Sequence, residues 1–297
     1  MNNLVDVKSM SNEDIMKAIG QDDGSSAPTL PRLMINRNPE DDDGNRLPIG
    51  SFSIYHSEAG ENVYGKPITF RPFISAMQYM EYSAEEESYL SRSIIFKNWK
   101  DEVIDTVGGL RCGKVPFKDR VNLTSEELAD QRSKKCYRLI YGQVSFIGKT
   151  ATGADYEVKD YPVLWRVTGT QFNPVGNALK SISQRKKLMF NCLLNLETEK
   201  KKAGANVFYI AKIGVNADAG IKLTKSDEDT LRNFQEVIDN ENTEVFELYK
   251  QSKKNKSTSD DVANAKVIND VAWRSLQICN PKTVYGRTRG QIQITNE

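Results

Sequence analysis

Three stretches of this chain show the pattern of β-strands: CYRLIYGQVSFIG at residues 136–148, YPVLWRVTG at residues 161–169, and LMFNCLLNLETEKKKAGANVFYIAKIGV at residues 188–215. Aromatic residues and Lys or Arg are interleaved in all three. Because an extended strand turns successive side chains to opposite faces, one set can build a core while the other offers rings and cations to a partner. The pattern predicts a β-rich domain with a binding face.

The composition indicates a soluble protein with a polar surface. The chain of 297 residues is long enough for one large domain or two modest ones, and its mean hydropathy is −0.56. No apolar run approaches the roughly 20 residues that cross a bilayer, and the amino terminus lacks the pattern of a secretory signal. A reducing cytoplasm suits the scattered cysteines, which are Cys112, Cys136, Cys192 and Cys279. We therefore expect a cytoplasmic location and no membrane contact.

Charge is distributed unevenly along the chain, although the net charge is only +1. Residues 1–48 carry 9 acids and 5 bases, and residues 216–249 carry 9 acids and 3 bases. The region between them carries 24 bases and 18 acids. A mildly basic centre between acidic segments favours an anionic partner for the centre.

The pattern divides the chain into four parts. Residues 1–48 are expected to form a flexible acidic arm, because they are rich in Gly, Ser, Pro and consecutive acids. Residues 49–215 form the β-rich core, and residues 216–249 form an acidic helix that starts with a Thr224 and Asp227 capping pattern. Residues 250–297 are expected to contain a polar linker at residues 250–259, a short helix and a basic tail.

The order of elements in the core predicts the fold class. Two strands lead into a helix with Asn173 at its N-cap and Pro174 at its first position, and a hairpin with a basic tip follows. We expect a mainly β protein of the α+β class with flanking helices. Its core is expected to be a partly open barrel like that of the oligonucleotide-binding (OB) fold. A split sandwich with helical flanks is the alternative.

The segment from Cys136 to about Tyr249 resembles the helix-destabilising single-stranded DNA-binding proteins of tailed bacteriophages. The likeness rests on element order: a hydrophobic strand (RLIYGQVSFIG), an aromatic and basic strand leading into a helix (VLWRVTGTQFNPVGNALKSI), a hairpin and an acidic helix. The resemblance implies a non-enzymatic protein of phage DNA replication or recombination, located in the host cytoplasm.

The resemblance also bears on cofactors and partners. The best-known members carry a zinc-binding His and Cys cluster and an acidic carboxyl tail that recruits partners. Here the cysteines have no ligand spacing and the tail after Lys250 is basic, so we expect no metal and no cofactor. The acidic helix at residues 227–247 is expected to recruit replication proteins instead. Self-association is expected through the amino-terminal arm or the carboxyl-terminal tail.

Single-stranded nucleic acid is bound by ring stacking and by phosphate contacts with little sequence preference. Strand alternation puts Tyr137 and Tyr141 on one face, whereas Trp165 lies on the core side. The predicted stacking residues are Tyr137, Tyr141, Tyr64, Tyr79 and Phe73. The predicted phosphate contacts are Lys66, Arg71, Arg92, Lys97, Arg111, Lys114, Lys134, Lys135, Arg138, Arg166, Arg185, Lys186, Lys187, Lys200, Lys201 and Lys202.

Other interpretations of the sequence stay open. A viral structural or interaction protein could use the charged helices to dock on other proteins. A metal-dependent nuclease is a remote alternative, based on the alternation of Glu197, Glu199 and Lys201 on one strand. The lone histidine, His56, has no cysteine near it in the sequence. DNA and RNA are not distinguished, because contacts to the 2′-hydroxyl leave no mark in the sequence.

Overall fold

The computed structural model describes residues 30–42 and 44–278, with side chains described as far as residue 255. Within this part the protein is mainly β with flanking helices, which confirms the predicted class. The strands are β1 (Arg32–Ile35), β2 (Phe52–His56), β3 (Glu61–Gly65), β4 (Ile68–Ser83), β5 (Ser88–Arg92), β6 (Lys134–Thr150), β7 (Asp155–Val167), β8 (Leu193–Ala203) and β9 (Asn206–Asn216). The helices are α1 (Ser125–Asp130), α2 (Phe172–Gln184) and α3 (Lys225–Ile278).

The described strands form one mixed sheet that curls back on itself. Its order is β3-β2-β1-β7-β6-β4-β8-β9, and β5 pairs with the carboxyl-terminal end of β4. Every pairing is antiparallel except that of β1 with β7. The last two residues of β6, Lys149 and Thr150, also pair with β3. The predicted hairpin corresponds to β8 and β9, whose pairing runs from Leu193 to Ala203.

The two longest strands, β4 and β6, separate three clusters of buried side chains. The largest cluster lies inside the curled sheet and includes Phe70, Ile140, Val144 and Trp165, with Leu179 and Ile182 of α2. The second lies on the outer face and joins Phe73, Ile74, Leu139 and Tyr141 to Phe234 and Ile238 of α3. The third lies beneath the loop after β5 and contains Met77, Tyr79, Phe96, Val103 and Cys112.

A bulge in β4 explains how a proline is accommodated in this long strand. The pairing between β4 and β6 shifts between Pro72 and Ile74, and Pro72 lies opposite Gly142. Proline is tolerated in a sheet at such irregular points because it cannot donate to the ladder. A Cβ on Gly142 would lie 2.4 Å from the Arg71 carbonyl oxygen, so the close approach of the strands requires glycine.

Helix α3 begins at the predicted capping box and docks on the outer face of the sheet. The Thr224 amide donates to Asp227 Oδ2 at 2.8 Å, and the Asp227 amide donates to Thr224 Oγ1 at 3.2 Å. Arg71 donates to both oxygens of the Asp227 carboxylate, at 2.7 and 3.1 Å. Phe234 is 1% exposed, and burial of such a side chain stabilises the fold by about 1.5–3 kcal/mol. The acidic helix is therefore part of the folded core.

Further polar contacts hold the middle of α3 against the strands. Arg92 forms ion pairs with Glu241 at 2.8 Å and Glu244 at 2.5 Å. The Asn242 side chain accepts from the Ile95 amide at 2.6 Å and donates to the Ile95 carbonyl at 3.1 Å. Inward-facing polar groups of the helix thus find partners on the sheet and its loops.

The structure corrects two expected boundaries. The arm was expected to extend to residue 48, but β1 lies within it, and Leu33 is 1% exposed because β1 fills the space between β2 and β7. The expected linker at residues 250–259 is helical, because α3 continues through it without glycine or proline. The predictions for residues 1–29 and 279–297, which include self-association through either end, lie outside the described residues.

The Arg71 and Asp227 pair predicts a pH-dependent stability. Burial raises the pKa of Asp227, but donors from Arg71 and Thr224 outweigh burial and hold the pKa below its ordinary value. Such a carboxyl stabilises the fold above its unfolded pKa of about 3.9 and loses that effect as pH falls through its folded pKa. We expect Asp227→Asn to lower the free energy of unfolding by about 3–5 kcal/mol at pH 7, because Arg71 is left buried without its partner.

Urea denaturation at pH 7 and pH 3 measures this effect, with the exposed Asp239→Asn on the same helix as the matched control. The difference between the wild type and Asp227→Asn should be smaller at pH 3. An equal difference at both pH values would contradict the prediction.

Candidate nucleic-acid interface

A buried carboxylate organises the loop between β5 and β6. Asp105 is fully buried, and its Oδ1 accepts from the Gly109 amide at 2.8 Å and the Val107 amide at 3.2 Å. Its Oδ2 accepts from the Cys112 amide at 2.8 Å. These bonds fold residues 108–114, with the sequence GGLRCGK, into a tight turn in which Arg111 and Cys112 both have positive φ. The turn carries Arg111, whose charge acts on Tyr79 of β4.

A row of aromatic rings leads from the third buried cluster to the surface. Tyr79 stacks on Phe96 with centroids 5.6 Å apart, and Phe96 meets Trp99 edge to face at 5.6 Å. Trp99 lies 6.5 Å from Phe172 at the start of α2, and the Arg138 guanidinium lies 4.6 Å above the Phe172 ring. The buried rings support Trp99, which is 52% exposed, so a flat ring is held at the surface.

Several cations surround this row. The pKa of Lys114 is lowered by burial and then by the charges of Arg120, Lys134 and Lys135, which outweigh the opposing charge of Asp130, so these cations lie close enough to repel Lys114. The charges of Arg111 and Arg120 act on Tyr79, and those of Arg138 and Lys114 act on Cys136, its neighbour in the sheet. We call the set Trp99, Phe172, Arg111, Lys114, Arg120, Lys134 and Arg138 the basic–aromatic surface.

The cations of the basic–aromatic surface have few acidic partners. Lys134 pairs with Asp130 at 2.6 Å and lies 3.8 Å from Glu81. Lys114 donates to the Gln131 carbonyl, and Arg138 donates to the Phe172 carbonyl at 3.4 Å. Among the described residues, no carboxylate lies within ion-pair distance of Arg111, Lys114, Arg120 or Arg138. An anion would therefore relieve their mutual repulsion.

An exposed apolar turn borders the basic–aromatic surface. Phe117 is 87% exposed and Val121 is 83% exposed. Arg120 lies 5.9 Å from the Phe117 centroid, and its Nε donates to the Val115 carbonyl at 3.0 Å. A large ring this exposed, held next to a cation, is available for stacking on a planar ligand.

The structure corrects most of the predicted stacking residues. Tyr64, Phe73, Tyr79 and Tyr141 are 6%, 4%, 9% and 1% exposed, so their rings are sealed in this structure. The physical reason for Phe73 and Tyr141 is α3, whose Phe234 covers both rings. Tyr79 lies under the loop after β5, and burial is the largest cause of its raised pKa. Tyr137 is half-buried.

The predicted phosphate contacts separate into several groups. Arg111, Lys114, Lys134 and Arg138 meet on the basic–aromatic surface, and Lys97 is exposed two residues before Trp99. Arg71 and Arg92 are a correction, because both are neutralised by carboxylates of α3. The remaining groups lie elsewhere: Lys66 before β4, Lys135 and Arg166 on the outer face, Arg185, Lys186 and Lys187 after α2, and Lys200, Lys201 and Lys202 near the hairpin tip.

Sequence reasoning missed four residues of this region: Trp99, Phe117, Arg120 and Phe172. The sequence does contain a signal, because Trp99 lies between Lys97 and Lys100 and Phe117 precedes Lys118 and Arg120. The same interleaving of rings and cations identified the strands, but here it occurs in a loop. Strand alternation cannot orient side chains in irregular backbone, so only the fold shows that these rings converge.

The buried thiols and the carboxylates of the hairpin each have a defined environment in the structure. Burial raises the pKa of both the Cys112 and Cys136 thiols to about 12, so both are protonated at neutral pH. Among the residues that the structure describes, no group of three or more His, Cys, Asp and Glu side chains could hold a metal ion. Glu199 pairs with Lys201 at 2.5 Å and Glu197 with Lys212 at 3.4 Å on the exposed hairpin.

Comparisons with family models, curated proteins and solved structures found no match to this chain. None of the helices in the described part has both the length and the apolar character needed to cross a membrane.

The role of Asp105 in holding the turn is testable. We expect Asp105→Ala to lower the free energy of unfolding by at least about 2 kcal/mol, because buried amides lose a charged acceptor. Faster amide hydrogen exchange at residues 107–113 and a lower urea midpoint would show that the turn and the fold have lost stability. The control is Asp119→Ala, an exposed carboxylate in the same loop. Unchanged exchange in the Asp105 variant would show that the turn holds without this carboxylate.

Proposed function

We propose that this protein binds single-stranded DNA without catalysing a reaction and that it serves DNA replication or recombination, in the manner of the phage proteins it resembles. The observation that carries the proposal is the basic–aromatic surface. It combines an exposed tryptophan, supported by three further rings, with five cations of which four have no acidic partner among the described residues. Unpaired bases and a row of phosphates are the ligand features that such a surface matches.

The order of elements supports an OB-type barrel. Along the sheet, β7, β6, β4, β8 and β9 are successive neighbours, and α2 lies between β7 and β8 in the chain. This arrangement places the third, second, first, fourth and fifth strands of a five-stranded unit side by side, with β1 filling the gap beside β7. In OB folds the loop between the first two strands contributes to oligonucleotide binding. Here that loop carries Trp99, Arg111, Lys114, Phe117 and Arg120.

The chemistry of binding follows from these side chains. A base stacked on Trp99 or Phe117 gains about 1–3 kcal/mol whatever its identity, so little sequence preference is expected. Each cation that neutralises a phosphate releases counterions, which makes the affinity depend on salt. These contacts do not discriminate a 2′-hydroxyl, so RNA stays an alternative ligand.

Replication proteins are proposed as partners of the acidic helix. Asp227 and Glu241 point toward the sheet and are engaged there. The outer side of the helix carries the exposed carboxylates Glu228, Asp229, Glu236, Asp239 and Glu247. A basic partner surface would therefore meet only this outer row. The alternative of a structural or interaction protein predicts such docking without any nucleic-acid binding.

Binding of dye-labelled oligo(dT), followed by fluorescence anisotropy over a range of salt concentrations, tests the proposal with a signal that does not depend on any tryptophan of the protein. We expect Trp99→Ala to weaken binding by about 1–3 kcal/mol, because one stacking platform is lost. We expect Arg120→Gln to reduce the slope of log affinity against log salt by about 0.7, because one phosphate contact is lost from a single strand.

The matched controls lie away from the basic–aromatic surface. Tyr55→Ala removes an exposed ring on β2, and Lys159→Gln removes an exposed cation at the opposite end of β7 from Arg166. Both should bind like the wild type. The absence of oligo(dT) binding by the wild-type protein at low salt would refute the proposal.

A further inference from the structure

A second group of rings and cations lies on the opposite face of β6. Cys136 and Arg138 point toward the basic–aromatic surface, so alternation turns Lys135 and Tyr137 to the other side. There the Arg166 guanidinium lies 5.7 Å from the Tyr137 centroid and 6.0 Å from the Tyr89 centroid. Tyr89 meets Tyr82 edge to face with centroids 5.3 Å apart. We call Tyr82, Tyr89, Lys135, Tyr137, Arg166 and Arg32 the tyrosine–arginine face.

The charge on this face is not balanced. Burial lowers the pKa of Arg166, and the nearby positive charge of Arg32 lowers it further. The Nε atom of Arg166 is buried without a hydrogen-bond partner, and its NH1 group reaches only the Tyr89 hydroxyl, at 3.4 Å. No carboxylate within the described ranges forms an ion pair with Arg166 or Arg32. Two adjacent cations without an acid favour a bound anion.

The rings of this face are accessible to a planar ligand. Tyr89 is 43% exposed and Tyr82 is 38% exposed, and they pair with each other near the end of the β4–β5 hairpin. Neighbouring Leu90 is 45% exposed. An anionic ligand that also carries flat rings would use both the cations without an acidic partner and the exposed tyrosine rings. Nucleotides fit this description better than an acidic peptide does, because carboxylate side chains offer nothing that stacks on a phenol ring.

The two surfaces come close at one end of the sheet. Tyr137 is three residues from Lys134, where β6 begins, which is a distance of about 10 Å along the strand. Lys135 lies between them, and its charge is one of those that act on Lys114 of the basic–aromatic surface. Tyr82 lies at the same end, where its amide donates to the Ser133 carbonyl at 3.3 Å. Cations and rings therefore continue around this end of the sheet.

We infer that the tyrosine–arginine face is a second contact segment for the same single strand of nucleic acid. The nucleic acid passes from the basic–aromatic surface around the start of β6 and reaches Tyr82, Tyr89 and Arg166 on the other side. Phosphates meet Arg166, Arg32 and Lys135, and bases stack on the two exposed tyrosines. The inference rests on the proposed function and adds to it a prediction about length. Oligomers that are too short to pass the end of the sheet contact only the basic–aromatic surface.

Oligo(dT) length separates the two surfaces. We expect Tyr89→Ala to weaken binding of an oligomer of about 16 nucleotides by roughly 5- to 100-fold and to leave binding of an oligomer of about 5 nucleotides unchanged. Tyr89 is exposed on the β4–β5 hairpin and belongs to none of the three buried clusters, so its loss leaves the core intact, and Tyr82→Ala serves as an independent second variant. Tyr55→Ala is the control for loss of an exposed ring elsewhere.

Photo-crosslinking provides a direct readout. Oligomers that carry 5-iodouracil at each position in turn should cross-link to Tyr82 or Tyr89 only when they are long, and to Trp99 or Phe117 at either length. Unchanged 16-mer affinity in both tyrosine variants, with cross-links confined to Trp99 and Phe117, would overturn the inference while the proposed function stands. Failure of both oligomers to bind the wild-type protein would overturn the inference and the proposed function together. Binding of poly-glutamate that depends on Tyr89, without oligomer binding there, would assign the face to an acidic protein and also overturn it.

Discussion

The docking of an acidic helix on the outer face of β4 and β6 is the constraint on which the rest of the structure depends. The carboxylate of Asp227 pairs with Arg71, and Phe234 covers the rings of Phe73 and Tyr141. This contact removes from solvent part of the sheet face that strand alternation alone would offer to a ligand. The same helix neutralises Arg71 and Arg92, two of the predicted phosphate contacts. On the sheet, a surface for nucleic acid can form only where the helix does not reach.

The basic–aromatic surface and the tyrosine–arginine face are the two places proposed here, and both owe their position to β6. Because side chains alternate, Arg138 joins the cations of the loop after β5, whereas Tyr137 joins Tyr89 and Arg166 on the other side. The charges explain why a ligand is expected at both. Each place holds cations without matching carboxylates among the described residues, and mutual repulsion lowers the pKa of Lys114 and Arg166 in addition to the effect of burial. Folding energy from the hydrophobic clusters keeps these cations together despite their mutual repulsion.

The loop after β5 illustrates how a buried polar group can serve a surface. Asp105 makes no contact with solvent, yet its three hydrogen bonds set the turn that carries Arg111. Beneath it, Tyr79 and Phe96 form a rigid base for Trp99. The predicted stacking role of Tyr79 is therefore replaced by a supporting role, since the exposed ring at the end of the row is Trp99.

The sequence alone determined the mainly β class, the basic hairpin, the capping box of α3, and the inward direction of Trp165. These features depend on local periodicity and on short-range hydrogen bonds, which neighbouring residues specify. The tertiary structure decided that β1 enters the sheet, that α3 covers Tyr141 and neutralises Arg71, and that Trp99, Phe172 and Arg138 meet. Such contacts join residues tens to more than a hundred positions apart. No local pattern encodes them, because they follow from how the sheet curls and which of its faces the helix occupies.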